Sequence, residues 1–131
     1  MRTIAAAVVL AALHGAAWSA TPAEIQNGIE TQARAAAGFA GFSAQRGAQF
    51  FNAKHGNEWS CASCHTADPK AAGKHAKTNK DITPLSPLAN PQRFTDAAKV
   101  EKWFSRNCND VLGRTCTAQE KGDVVAWLLE R

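Results

Sequence analysis

The chain has 131 residues, a length that predicts a single domain and excludes a large two-lobed enzyme. Lysine and arginine total 15 against 11 acidic residues, a mild excess that is spread along the chain and does not favour nucleic-acid binding. Four cysteines, no tyrosine and a single methionine, Met1, are the informative counts.

Residues 1–19 read as a secretory signal peptide. Arg2 precedes an apolar run at 4–13 and then small residues, and the run is shorter than the roughly 20 residues of a membrane span. Ala17 and Ser19 favour cleavage after Ser19, although cleavage after Ala17 and an uncleaved anchor stay possible. We expect a domain at 20–131 with a formal charge of +3, without a membrane span, in the oxidising periplasm.

Two helices are predicted in the first half of the domain. Apolar spacing predicts one at 22–37, with Ile25 and Ile29 on one side, ended by glycines. The second covers about 43–54, with Ser43 as its N-cap. From 56 to 90 the periodicity is lost, and a loop this long needs something to organise it, such as a bound cofactor.

Two further helices are predicted after that loop. One runs from Asp96 to about Arg106 with Thr95 as the candidate cap, and the last begins at a capping box from Thr117 to Glu120. No segment alternates like a strand. The sequence therefore predicts an all-α domain of about four helices around one long loop.

The segment Cys61–His65 is a C-x-x-C-H box, the attachment pattern of c-type haem. Two thiols three positions apart can form thioethers with the two vinyl groups of one porphyrin, and the next residue offers an imidazole to the iron. A redox dithiol and half of a zinc site are the alternatives, but the first needs no histidine and the second lacks another C-x-x-C. We therefore expect one covalent haem c, held by Cys61, Cys64 and the proximal ligand His65.

The second axial ligand of the iron cannot be the methionine of an ordinary electron carrier, because no methionine follows the signal peptide. His55, His75, Asn107, a cysteine thiolate, water and an open position remain candidates. In the predicted helix from Asp96, one face carries Val100, Trp103, Phe104 and Asn107, while Asn109 points the opposite way. This face could cover a haem, with Trp103 and Phe104 packing on it. Asn107 is equally well explained as a helix-ending residue bonded to backbone.

Cys108 and Cys116 are expected to form a disulfide, because the predicted compartment is oxidising. A bridge closing a loop of this size contributes roughly 2.5 kcal/mol through chain entropy. The alternative, a Cys108 thiolate on the iron, would leave Cys116 unpaired.

Several segments together resemble the sphaeroides haem protein family, secreted high-spin class I-like cytochromes c that bind oxygen and are related to cytochrome c double-prime. The resemblance covers nearly the whole domain, and it is carried by residues 61–65, 81–87, 93–96, 100–103, 106–109 and 112–116. It implies a small class I-like cytochrome c fold in which Gly47 and Phe51 meet a last helix carrying Val124, Trp127 and Leu128.

The resemblance also implies site roles. Asn107 would ligate ferric iron and leave on reduction, which opens the iron to O₂, NO or CO, and Cys108 and Cys116 would be bridged. Cytochrome c double-prime has histidine in the place of Asn107. His55 and His75 receive no ligand role and are expected to be surface residues.

The predicted function is therefore electron transfer with binding of a diatomic gas. A redox partner cytochrome, multihaem or membrane-bound, could dock at the lysines that flank the haem segment, although these are equally typical of a solvated surface: Lys54, Lys70, Lys74, Lys77 and Lys80. The alternatives are a plain electron carrier, and a haem enzyme that oxidises NO or acts as a weak peroxidase.

Overall fold

The computed structural model of the protein describes residues 19–131, so the predicted signal peptide lies outside the described residues except for Ser19. The described part contains five helices, α1 (Pro22–Ala33), α2 (Ala44–Asn52), α3 (Ala62–His65), α4 (Ala97–Leu112) and α5 (Ala118–Leu129). Between α3 and α4, β1 (Gly73–Lys74) and β2 (Asp81–Ile82) form an antiparallel pair with Gly73 opposite Ile82. The all-α prediction is confirmed. A short extra helix and this two-residue ladder lie in the segment predicted as loop.

Side-chain caps begin the long helices at the expected places, with one exception. Ser43 accepts from the backbone of Arg46, and Thr117 forms the predicted capping box with Glu120. The exception is α4, which is capped by Asp96 rather than by Thr95.

The predicted ends of three helices are wrong. Helix α1 stops at Ala33 and α2 at Asn52, two to four residues early, whereas α4 continues past Arg106 to Leu112. The extension of α4 has a packing cause, because Cys108 and Val111 continue its buried face. Gly113, with φ +69°, then ends the helix in the left-handed conformation that favours glycine.

The core lies where α2 and α1 pack on α5. Phe51, Val125 and Leu128 are at most 1% exposed, and the rings of Phe51 and Trp127 are 4.9 Å apart. Gly47 makes the α2–α5 contact possible, because a Cβ there would lie 1.9 Å from the backbone oxygen of Asp123. The predicted close crossing of a glycine-bearing helix with the last helix is confirmed.

The buried carboxylate of Asp123 stabilises the contact between α2 and α5. Its Oδ1 accepts hydrogen bonds from the backbone N–H of Ser43 at 2.7 Å and from Gln119 at 3.0 Å, and Arg46 forms a two-bond ion pair with it. A buried carboxylate is stable only when it is paired in this way. Among the described residues, no helix is long and apolar enough to cross a membrane.

Candidate haem site

The C-x-x-C-H segment folds as a single helical turn, α3. Ser60 and Ser63 cap it reciprocally, since each backbone N–H donates to the hydroxyl of the other, at 2.9 and 3.2 Å. The backbone N–H of His65 donates to the oxygen of Cys61 at 3.0 Å. The turn therefore brings Cys61 and Cys64, three residues apart, onto one side of the helix.

Both cysteines of the turn are free thiols and half-buried. Burial raises the pKa of the Cys61 thiol to about 11, so this thiol is neutral at pH 7. Redox dithiols instead have a thiol whose pKa is lowered, which disfavours that alternative. Within residues 19–131, no group of three or more His, Cys, Asp or Glu side chains is arranged to hold a metal ion, so zinc ligation also lacks a ligand set.

His65 is a half-buried imidazole with an unpaired ring nitrogen. Its Nδ1 atom is fully enclosed and has no hydrogen-bond partner among the described residues, and its ring centre lies 6.2 Å from that of Phe51. Burial lowers the pKa of His65 to about 4, with a smaller contribution from the positive charge of Arg93. The ring is therefore neutral at pH 7, the form that binds metals.

The donor set as a whole fits haem c. Two thiols three residues apart, followed by a neutral imidazole, could supply the thioethers and one ligand of the iron. An enclosed imidazole nitrogen without a protein partner costs on the order of 1–3 kcal/mol, which favours a ligand-binding role for His65 over a packing role.

Strand β1 passes directly over this turn. A Cβ on Gly73 would lie 2.0 Å from the backbone oxygen of Cys64 and 3.1 Å from the Cα of His65. Beyond the strand, the backbone N–H of Ala76 donates to Cys64 Sγ at 3.3 Å. The long segment predicted as loop is thus packed onto the attachment turn.

Asn107 lies in the interior of α4, five residues before its last residue. The interpretation of Asn107 as a helix-ending residue is therefore wrong. The side chain is half-buried and forms no hydrogen bond with any of residues 19–131, whereas Asn109 is exposed as expected. Val100 and Phe104, on the same face, pack against the core.

The aromatic residues of the predicted face differ in burial. Phe104 is half-buried against the core, but Trp103 is 44% exposed, with the guanidinium of Arg106 5.3 Å from its ring centre. Trp103 lines a surface cavity instead of the core.

Cys108 and Cys116 form the expected disulfide, with their Cα atoms 5.6 Å apart. Cys108 is buried, at 4% exposure. The bridge excludes the alternative of a Cys108 thiolate ligand. It also links α4, at the residue that follows Asn107, to the segment just before α5.

The two other histidines of the domain make local contacts. His55 is exposed, and its Nε2 lies 2.8 Å from the backbone oxygen of Phe50. His75 is half-buried rather than exposed, and its Nδ1 accepts from the backbone N–H groups of Lys77 and Thr78. The flanking lysines are all exposed, although two have partners: Lys74 pairs with Asp81, and Lys77 lies 4.6 Å above the Trp59 ring.

Arg93 and Phe94 are parts of the site for which the residue pattern gave no role. Arg93 is half-buried, and its Nε and Nη2 donate to the backbone oxygens of Pro84 at 2.9 Å and Thr83 at 2.8 Å. Phe94 is buried in a left-handed conformation, φ +57°, which is strained for a side chain of this size. A tertiary fold must impose this conformation, so no local pattern could reveal it.

Comparisons with known proteins show which family the chain resembles. A family model described as a domain of unknown function, DUF1924, matches residues 37–128. The cytochrome c-type protein SHP of Cereibacter sphaeroides is 47% identical over 112 residues, which cover 82% of each protein. Cytochrome c'' of Methylophilus methylotrophus is 49% identical over 84 residues, which cover 61% of this chain and 58% of the relative.

Two solved folds are similar to the whole domain. The structure of oxidised SHP, described as an oxygen-binding cytochrome c, matches with a TM-score of 0.77 and 44% identity, over 86% of this chain and 99% of that one. The solution structure of cytochrome c'' from Methylophilus methylotrophus, described as giving insight into haem-ligand detachment, matches with a TM-score of 0.72 and 38% identity, over 84% and 93%.

Proposed function

We propose a function for this chain, which belongs to the family of c-type cytochromes that contains SHP and cytochrome c''. It is a periplasmic electron-transfer protein whose reduced haem binds a diatomic gas. The cofactor of this family is haem c, which supplies one-electron chemistry and, when an axial position is open, binds O₂, NO or CO. The chain's own residues decide whether that position opens.

Cys61 and Cys64 would hold the cofactor, and His65 would be a permanent ligand of its iron. The helical turn keeps both thiols on one side, and β1 packs on its backbone through Gly73. His65 is fixed by its enclosure next to Phe51. These residues would hold the cofactor rigidly.

Asn107 is the exchangeable ligand, and its geometry is the observation that carries the proposal. Asn107 is a half-buried amide in the interior of a helix without a hydrogen-bond partner among residues 19–131, so its oxygen is not engaged by the protein and is available to a ligand. Asparagine is an unfavourable residue at a helix-interior position, by about 0.5 kcal/mol relative to alanine. A neutral amide oxygen is a hard, weak donor that suits ferric better than ferrous iron, so Asn107 would withdraw on reduction.

The test compares the Asn107→Ala variant with an Asn109→Ala control, which makes the same change on the exposed side of α4. Absorption spectra of the ferric and ferrous proteins are recorded, followed by CO binding to the ferrous form. We expect Asn107→Ala to change the ferric spectrum and Asn109→Ala to leave it unchanged. All three ferrous proteins should be high-spin and bind CO at similar rates.

Two results would contradict the proposal. A wild-type ferrous protein that is low-spin, six-coordinate and inert to CO would identify a plain electron carrier. A ferric spectrum of Asn107→Ala equal to that of the wild type would remove Asn107 as the ligand.

Processing and localisation form a further part of the proposal. Removal of residues 1–19 would leave Ala20 at the N-terminus of domain 20–131, and the nitrogen of Ala20 already donates to the oxygen of Thr95 at 2.9 Å. A newly formed amine there could keep this contact, although the bond from the Ser19 hydroxyl to the same oxygen would be lost. N-terminal sequencing of protein released from the periplasm should begin at Ala20, and a start at Met1 would refute export with cleavage.

The electron donor in this proposal is another cytochrome, multihaem or membrane-bound, with an acidic face. The support is the run of exposed lysines beside the attachment turn, of which Lys70 and Lys80 have no acidic partner within 4 Å among the described residues. Reduction by such a partner should slow as ionic strength rises, because exposed charges are screened. A rate independent of salt would refute docking through these lysines.

A further inference from the structure

Arg93 is a partly buried cation that lacks a counter-ion. Its guanidinium is half-enclosed, and desolvation lowers its pKa. Within residues 19–131, no carboxylate lies within 4 Å of it, whereas Arg34, Arg46 and Arg114 all form ion pairs. Burying a charge without a partner is unfavourable, so an unpaired arginine in this position calls for an anion.

The side chain of Arg93 is held in place by neutral groups. Its Nε and Nη2 donate to the oxygens of Pro84 and Thr83, and Nη2 also donates to the Thr83 hydroxyl at 3.1 Å. The Nη1 group donates to none of the described residues, and it remains free for another acceptor. The strained turn at Phe94 puts that ring into the core while Arg93 lines a cavity.

The cavity beside Arg93 suits a small anion. It has a volume of about 290 Å³, and its lining carries two cations, Arg93 and Lys99, against one carboxylate, Asp96. That carboxylate is engaged, because its Oδ1 accepts from the backbone N–H of Lys99 at 2.9 Å as the cap of α4. Amides and hydroxyls complete the wall, which also contains the exposed Trp103.

The cavity is connected with the residues of the proposed haem site. Phe94, which also lines it, lies in the same buried cluster as Phe51, the ring next to His65. Trp103 lies one helical turn before Asn107 on α4. We propose that Arg93 binds a carboxylate in this cavity and that this carboxylate is a propionate of the haem attached at Cys61 and Cys64. The inference rests on the proposed attachment, and it does not depend on gas binding.

An ion pair with Arg93 would influence the iron as well as hold the cofactor. A fixed positive charge near the haem favours the reduced form, which carries one positive charge fewer, and a partly buried charge is screened less by salt than an exposed one. Arg93 therefore should raise the reduction potential in a way that high salt does not remove. A residue that merely braced Thr83 and Pro84 would affect stability without this electrostatic signature.

The experiment measures the midpoint reduction potential of the holoprotein by spectroelectrochemistry at low and high salt. The variants are Arg93→Gln, which removes the charge, Arg93→Lys, which keeps it, and Lys102→Gln, which removes an exposed charge from α4 outside the cavity. We expect Arg93→Gln to lower the potential more than Lys102→Gln does, with only the Arg93→Gln shift surviving at high salt. Arg93→Lys should lie nearer to the wild type and keeps the test usable if Arg93→Gln does not fold.

Acetate titration distinguishes the two sources of a carboxylate. With a propionate in the cavity, acetate should cause no saturable change in the potential of the wild type. A saturable change that Arg93→Gln abolishes would assign the cavity to a free anion and overturn the proposal. The proposal would also be overturned if Arg93→Gln shifted the potential no more than Lys102→Gln does. The same holds if the potential of Arg93→Lys were as low as that of Arg93→Gln. Ferrous CO spectra of the same samples report separately on the proposed gas binding.

Discussion

The contact between Gly47 and α5 makes a sharp prediction about stability. In Gly47→Ala, the new Cβ would lie 1.9 Å from the oxygen and 2.4 Å from the carbonyl carbon of Asp123. These are backbone atoms, so no side chain can rotate away and the two helices must separate. Overpacking costs typically 1–3 kcal/mol, and the rigid neighbour places this case at the upper end, about 3 kcal/mol. Alanine regains about 1 kcal/mol of helix propensity, which leaves a net loss of about 2 kcal/mol.

The matched control is Gly28→Ala in α1, where nothing lies within 4 Å of the added Cβ. This variant gains propensity without a clash and should be stabilised by up to about 1 kcal/mol. Urea unfolding of both holoproteins gives the two free energies, and at about 4–8 °C per kcal/mol the Tm of Gly47→Ala should fall by roughly 10 °C. If Gly47→Ala is as stable as Gly28→Ala, the close approach of α2 and α5 does not exist as described.

Three further outcomes follow from the structure. Replacing both Cys108 and Cys116 by serine should lower the free energy of unfolding by roughly 2.5 kcal/mol, since the open loop gains entropy in the unfolded chain; urea unfolding measures this, and an unchanged midpoint would contradict it. The hydrogen bond from Arg114 holds the pKa of Glu120 below its usual value, so the stabilisation is present above about pH 4.5 and is lost as pH falls through the folded-state pKa. The free energy of unfolding of Glu120→Gln should therefore vary less than that of the wild type between about pH 5 and 3. Parallel pH profiles of the two proteins would refute this. Gly73→Ala should displace the attachment turn and reduce covalent haem content relative to Gly28→Ala, read from the haem-to-protein absorbance ratio, and equal ratios would count against this packing.

Local sequence was a good guide to where the helices begin. Thr117 and Glu120 form their capping box in the structure as predicted, because a cap needs only residues three positions apart. Helix ends were predicted less well. The C-terminal limit of α4 depends on Cys108 and Val111 facing the core, and burial of that kind is set by distant partners.

The candidate site divides in the same way. The Cys61–His65 box is readable because the attachment chemistry itself requires the spacing, and the bridge of Cys108 with Cys116 follows from the cysteine count and the expected compartment. The position of Arg93 cannot be predicted from the sequence, since an arginine in a polar loop looks like any solvated charge until the fold half-buries it with no acidic partner among residues 19–131.

The sequence by itself therefore determines features that depend on composition or on residues a few positions apart. These are the attachment box, the helix caps and the absence of a methionine ligand from the domain. The tertiary structure decides everything that depends on which distant surfaces meet. It places Asn107 in the interior of a helix, packs Gly73 onto the attachment turn, and puts Arg93 beside a cavity with no carboxylate of residues 19–131 within 4 Å. The physical reason is that burial and desolvation belong to pairs of segments far apart in the chain, and no local pattern records them.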